Sequence, residues 1–415
     1  MPRKPASTET DVLIAGGGMA GLSLALALAQ GGLSSTVVDA LAPETVTDAG
    51  FDGRVSALAY AVCRMYRALG VWPHMAHHAQ PINDIVVTDG TVRGGASPLF
   101  LHFDHREIGE EPLGHLVENR HIRLALFAAA RDVSAITLIA PGRVTGYSAT
   151  PDGVTGTLAD GRQVHARLLA VCEGRQSALR AMAGIRTIGW SYRQTGIVTT
   201  VAHEKPHHGV AQEFFLPSGP FAILPMTGNR ASLVWTERTE LADALLALDA
   251  EDFAAELRAR FGDYLGAVEP VGPRWSYPLS LQIATDMIAE RVALVGDAAH
   301  GIHPIAGQGL NLGLRDVAAL AEVMAQARGL GLDPGAFDTL ERYAQWRRFD
   351  TVSLAAVTDV LNRLFSNDIG PVRLVRDVGL WAAGQAAPLR RFFMRHAGGD
   401  VGDLPKLLRG DSLAA

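Results

Sequence analysis

Glycines at fixed spacing and the acids that follow them carry the first chemistry legible in this chain. Gly16, Gly18 and Gly21 satisfy GxGxxG within AGGGMAG, and Asp39 follows Gly21 by 18 positions. In such a turn the first glycine permits a tight bend, the second lets a pyrophosphate approach the backbone, and the third lets helix and strand pack closely. The helix that starts there presents unpaired N–H groups and a positive dipole end to phosphates, and an acid ending the next strand accepts hydrogen bonds from a ribose. The pattern points to a dinucleotide without separating FAD from NAD. A second group stands at 291–316, RVALVGDAAHGIHPIAGQGLNLGLRD. Asp297, His300 and His303 lie in or beside a Gly/Pro-rich loop, and Gly307, Gln308, Gly309, Leu310 and Asn311 open a helix. A helix start there suits negative charge such as that of a reduced flavin, which it stabilises by up to ~2 kcal/mol. The plain alternative is a loop that only caps its helix. His300 and His303 read as hydrogen-bonding loop anchors rather than acid–base groups.

These residues need elements to hold them. Asp11–Ala15 is a short apolar run of buried-strand type, Leu22–Gln30 is rich in helix formers, and Thr36–Val38 is a second strand ending on Asp39. Val292–Val295 is a further buried strand, and the helix opened at Gly307 runs to about Ala327. The 415 residues suggest two to three domains, and 48% hydrophobic with 19% charged residues is an ordered, well-cored composition. The balance of 37 basic and 43 acidic residues leaves −6, with no broad cationic surface for nucleic acid. Two cysteines, Cys63 and Cys172, are too few for a disulfide framework, a CxxC pair or a four-cysteine metal site, and fit a reducing compartment. Val12–Val38 carries no charge and is long enough to raise a membrane span or a signal peptide. Its glycines weaken a spanning helix and suit a turn, so the segment is expected to be retained, in a cytoplasmic protein.

The two glycine-rich motifs together resemble the single-component flavoprotein monooxygenases of the para-hydroxybenzoate hydroxylase type. DGRVSALA at 52–59, LGVW at 69–72, VEN at 117–119, FFLPSGPFAILPM at 214–226 and YPLSL at 277–281 are similar to the ubiquinone-biosynthesis branch of that family. The resemblance implies FAD as cofactor. It puts Gly16, Gly18, Gly21 and Asp39 on the ADP half, Arg54 against the flavin side, and Asn119 near the pyrophosphate and ribose. Asp297 would bond the ribityl and pyrophosphate region. Gly307, Gln308 and Gly309 would line the isoalloxazine ring, followed by Leu310 and Asn311. Asp39 replaces the family's usual Glu, and Glu173 in VCEGRQSALR stands where Asp is usual. No second GxGxxG has strand and helix context, so NAD(P)H is expected as a transient reductant without its own domain. The implied reaction is hydroxylation of the aromatic ring of a polyprenylated phenol by O2 through a flavin C4a-hydroperoxide, in ubiquinone biosynthesis. Such chemistry requires an apolar, water-excluding roof. Phe214, Phe221, Leu224, Pro225 and Trp235, with Phe215, are the candidate substrate-binding residues, although alternation turns about half of a strand's residues away. No catalytic side chain and no metal is assigned. Rival readings are a hydroxylase of another aromatic substrate such as a soluble acid, a prenyl-chain reductase, or a non-catalytic flavin-binding partner in a quinone-synthesis complex.

The expected fold is α/β: a discontinuous Rossmann-like FAD-binding domain from 1–74, 112–184 and 279–365, a mostly antiparallel β-sheet substrate domain from 75–111 and 185–278, and a helical C-terminal region at 366–415. Pro371 and Pro388 are expected to break that last region. Its Arg373, Arg376, Arg390, Arg391 and Arg395 read as solvated residues of a docked helix pair, or else as an amphipathic contact with the inner face of a membrane or with a partner. His74 and His78 have helical metal-pair spacing but no third ligand, and read as a surface helix end. His207 and His208 read as a solvent-facing turn, and Cys172 as a core residue.

Overall fold

The computed structural model describes residues 8–48, 50–92, 95–366, 376, 379 and 381–414. Pro371 and Arg373 lie outside the described residues. The first sheet is built on parallel strands in the order Val292–Leu294, Gln163–Val171, Thr8–Ala15, Ser35–Val38 and Ile136–Ile139. Val12, Leu13 and Ile14 are fully buried, as a central parallel strand covered on both faces requires. Helices Met19–Gln30 and Gly309–Gly329 pack against one face within a single apolar cluster, and the antiparallel pair Val144–Thr150 and Gly153–Leu158 contributes to the cluster on the other. In register, Ala15, Val38, Val171 and Leu294 stand side by side, so the four chains leave the sheet together at its carboxyl end.

The second sheet has eight strands, and its central order is Val268–Ala284, Thr187–His203, Arg230–Arg238, Gly219–Met226, Val210–Leu216 and Asp84–Thr91. It is antiparallel except where Val210–Leu216 pairs with Asp84–Thr91. The expected period-two runs at 196–202, 212–215, 221–224 and 232–236 all fall in its strands. Helices Thr239–Leu246 and Ala250–Phe261 close its outer face. Its inner face meets a small sheet of Val55–Ala59, Gly114–Glu118 and Gln80–Ile82, the loop at Ile302–Ile305, and the long helix Phe337–Phe365.

The C-terminal region is helical over Ala387–Gly398, with Pro388 in the first turn, so this proline begins a helix rather than interrupting one. Two of its arginines are not solvated. Arg376 is 3% exposed and pairs with buried Asp89 at 2.7 Å, and Arg390 pairs with Glu107 at 3.0 Å. Arg391 and Arg395 are exposed.

Candidate functional site

The carboxyl ends of the parallel strands gather the first motif. Gly16 N–H donates to Val38 O at 2.8 Å, and Cys172 N–H to Ala15 O at 2.7 Å. Gly16 has φ +105°, and a Cβ there would lie 2.5 Å from Cys172 O; at Gly21 it would lie 1.9 Å from Gly16 O. Both positions therefore demand glycine. Gly18 differs, because a Cβ there meets nothing within 4 Å: its backbone faces open space at the start of helix Met19–Gln30, which has no side-chain cap. Asp39 is tied locally, accepting from Gly17 N–H at 2.6 Å and Leu41 N–H at 2.8 Å.

The second motif reaches the same crevice. Helix Gly309–Gly329 also starts without a side-chain cap, and Gly309 faces open space. Two helix N-termini with unsatisfied N–H groups thus open on one crevice, a natural anion cradle. Gly307, at φ +61°, lies so close to Ala57 that an added Cβ would approach it to 3.2 Å. Asn311 stitches this turn to strand Val55–Ala59: its Oδ1 accepts from Ala59 N–H at 3.0 Å and its Nδ2 donates to Ala57 O at 2.9 Å. Asn311 is therefore a positioning residue. Gln308 donates to Ala397 O at 3.2 Å, reaching the C-terminal helix. Leu310 packs against the core of the first sheet.

Asp297 makes no hydrogen bond with any described residue, its side chain is 54% exposed, and Arg175 lies 3.9 Å away. His300 is its opposite. Fully buried, it donates through Nε2 to Asp316 Oδ2 at 2.6 Å; the same oxygen accepts from Gly296 N–H at 3.0 Å, and Asp316 Oδ1 accepts from Arg347 at 2.8 Å. Burial pushes the Asp316 carboxyl up, but His300 and Arg347 hold it below the usual carboxylate value. His303 is buried; its Nδ1 accepts from Ile305 N–H at 3.3 Å, its Nε2 has no partner among the described residues, and burial with Arg175 nearby lowers it to about 4. Arg54 is held at the rim, paired with Asp52 at 2.6 Å and lying 5.2 Å over Trp275. Asn119 accepts from Ser56 Oγ at 2.8 Å and donates its N–H to Arg54 O at 2.9 Å, joining its helix start to the same strand. Glu173 accepts from Ser177 Oγ at 2.8 Å and so serves its own turn.

The predicted roof divides by alternation. Phe214, Phe221 and Trp235 belong to the outer cluster, with Trp235 packed on Phe253 and under Arg260, so they do not face the crevice. Pro225 lies on that side too, two positions from Ile223. Leu224 faces inward with Val55 and Ala57, and Phe215 meets Ile305 and Phe365. Residues missed in the sequence complete the inner face: Ser232 and Thr236, whose buried hydroxyls have no partner among the described residues, and Glu213 and Tyr277. A lone acid inside QEFFL was the available signal for Glu213. His207 is a further correction: it is buried, donating to Met226 O at 2.8 Å and accepting from Gly209 N–H at 3.0 Å. His74 and His78 lie in separate short turns, and His78 stacks on His121. Cys172 is half-buried against the first core. A cavity of about 420 Å³ between Phe100, Glu107, Trp381 and Arg390 contains none of the predicted site residues.

A Rossmann-like crevice with two bare helix starts defines a dinucleotide-binding oxidoreductase fold. The model of the FAD binding domain family matches residues 9–348. The chain belongs to that family and is an FAD-dependent monooxygenase. It is 52% identical to the ubiquinone hydroxylase UbiL of Rhodospirillum rubrum over 410 residues, covering 98% of this chain and 94% of the relative. It is 34% identical to the 3-demethoxyubiquinol 3-hydroxylase of Escherichia coli, covering 94% and 98%. Among solved structures, p-nitrophenol 4-monooxygenase PnpA of Pseudomonas putida shares the fold with a TM-score of 0.78 at 18% identity, covering 95% of this chain and all of that one.

Proposed function

We propose that this chain hydroxylates the aromatic ring of a polyprenylated phenol in ubiquinone biosynthesis, with O2 as oxygen source and NAD(P)H as reductant. The observation that carries this reading is the meeting of two uncapped helix starts under an inner sheet face; the 52% identity to a ubiquinone hydroxylase supports the choice of substrate. FAD, when bound, supplies the activation of O2 and the transfer of one oxygen atom. The residues fit it: Gly16, Gly18, Gly21 and Asp39 hold the ADP half, Asp297 offers its exposed carboxylate to the ribityl and pyrophosphate region, and Gly307, Gln308 and Gly309 present backbone to the ring system. Arg54 and Asn119 border it, and Leu310 and Asn311 secure the helix start. In this reading 1–74, 112–184 and 279–365 form the FAD-binding domain, 75–111 and 185–278 the substrate domain, and 366–415 a helical appendage.

The substrate's prenyl tail favours work at the inner face of a membrane. No helix among the described residues is long and apolar enough to cross one. The long helix, however, exposes Phe349, Val352, Val357, Val360 and Leu364. Its Arg348 is also exposed, a charge that suits anionic lipid, whereas exposed Arg363 is paired with Asp359 at 2.9 Å. The test is oxygen consumption by the holoenzyme with NAD(P)H and a prenylated phenol, with mass analysis of the product. A product heavier by one oxygen is expected. Turnover of small aromatic acids alone would favour a hydroxylase of another substrate, reduction of the prenyl chain without oxygen uptake a prenyl-chain reductase, and no turnover a non-catalytic flavin-binding partner.

A further inference from the structure

Glu213 stands where no structural role explains it. Along strand Val210–Leu216, Phe214 and Leu216 point to the outer cluster, while Ala211 and Phe215 point inward, so Glu213 points inward between them. Ala211 shares a cluster with Val55 and Ala57, and Phe215 shares one with Ile305. Glu213 therefore overlooks the gap between Ala57 and Ile305, which is where the Gly307 turn approaches Ala57. Across the sheet its row continues through Ala222, Val234 and Val198, with Gly196 and Thr236 in the next row. The side chains in these rows are small, and the Tyr277 ring lies against Gly196. The Glu213 carboxylate is densely surrounded by protein, retains some accessible surface, and makes no hydrogen bond or ion pair with any described residue. Nearby charge is already matched, because Asp89, on the same face of the next strand, pairs with Arg376. Tyr277, at the other margin beside Gly196, also has a hydroxyl that makes no hydrogen bond with any described residue. An unpaired buried carboxylate is costly unless a ligand completes it.

We propose that Glu213 accepts the hydroxyl proton of the bound phenol, orienting the ring and raising its electron density for hydroxylation. This rests on the phenolic-substrate reading above. The phenol O–H bond breaks, the proton goes to a Glu213 oxygen, and the electron pair stays on the phenolate. The ring carbon gains one atom of O2 and the other leaves as water; NAD(P)H supplies two electrons and one proton as hydride, and solvent supplies the further proton. When the ring carbon loses its own proton and aromaticity returns, Glu213 gives its proton back to the phenolate oxygen. Burial pushes the Glu213 carboxyl up to about 7, so it can hold or release a proton near neutrality.

The experiment compares holoenzyme carrying Glu213→Gln or Glu213→Asp with wild type, using a short-chain prenylated phenol and its methyl ether. Binding is read from the flavin absorbance change and turnover from oxygen consumption across pH. Wild type should bind the phenol at least about tenfold more tightly than the ether, since a hydrogen bond to a charged group is worth roughly ten- to a hundredfold. Glu213→Gln should keep its flavin, bring phenol and ether close to parity, and lose the rise of kcat/KM through about pH 7. Glu213→Asp should restore part of the preference. A folded Glu213→Gln enzyme with wild-type phenol preference and pH profile would overturn the proposal. So would a Glu213→Asp enzyme as indifferent to the hydroxyl as Glu213→Gln. Wild-type holoenzyme that binds neither ligand would instead overturn the substrate reading beneath it.

Discussion

The two faces of the second sheet are made from the same strands and differ in almost everything else. On the outer face Phe214, Phe221, Ile223, Leu233 and Trp235 interlock with Phe253 and Leu257 of the covering helices. On the inner face the corresponding positions are Gly196, Val198, Ala222 and Val234, accompanied by hydroxyls and one acid that lack partners among the described residues. Large interlocking apolar residues make a stable wall even though Trp235 Nε1 and Thr199 Oγ1 on that side lack partners among the described residues, whereas small residues beside unpartnered hydroxyls and an acid make a surface that a ligand can complete. One period of two residues therefore assigns stability to one side and chemistry to the other.

The most forceful way to break this division is at Trp235. Trp235→Ala should cost about 3–5 kcal/mol of stability and lower Tm, while the folded fraction keeps wild-type KM; a raised KM at unchanged Tm would contradict the assignment of faces. Opposite the inner face, Asp297→Ala should weaken FAD binding by roughly ten- to a hundredfold, read as flavin-to-protein ratio after dialysis. His300→Ala, which removes a partner from buried Asp316, should instead appear mainly as a lower Tm. Ala222→Leu sharpens the comparison from the other side: filling the middle of the inner face should raise KM for the phenol about tenfold or more, a loss of some 1.4 kcal/mol, with Tm nearly unchanged. The smallest effect on folding is expected for Val360→Ser on the exposed helix face, within about 0.5 kcal/mol. That variant should nevertheless reduce sedimentation with anionic vesicles, and equal sedimentation of both proteins would remove this helix from the membrane contact.

What the sequence disclosed tracks how local the physics is. The GxGxxG turn, the strand leading to Asp39 and the second helix start are each set within about thirty residues, and all of them form, the last beginning at Gly309 after a turn at Gly307. The choice between Phe214 and Phe215 was not legible, because both lie in one apolar strand and only partners distant in sequence, Phe253 on one side and Ile305 on the other, tell them apart. Asn311 looked like a cofactor contact from its place in the motif, yet its amide is committed to the backbone of Ala57 and Ala59, some 250 residues earlier. His207 looked solvated because its neighbours are polar, but it fastens a turn through two carbonyls, Met226 O and Gly228 O.

The order of strands in the first sheet also sets a clock. Thr8–Ala15 is synthesised early but sits between Ser35–Val38 and Gln163–Val171, and the latter rests in turn on Val292–Leu294. At 5–20 residues per second a ribosome needs roughly 15–60 s to travel from the first of these strands to the last. Until then the phosphate turn has a helix but no finished sheet beneath it, and neither Asp297 nor the Gly307 helix start has been made. Flavin capture is consequently a late event in the synthesis of each chain, waiting until about three-quarters of its residues have been joined.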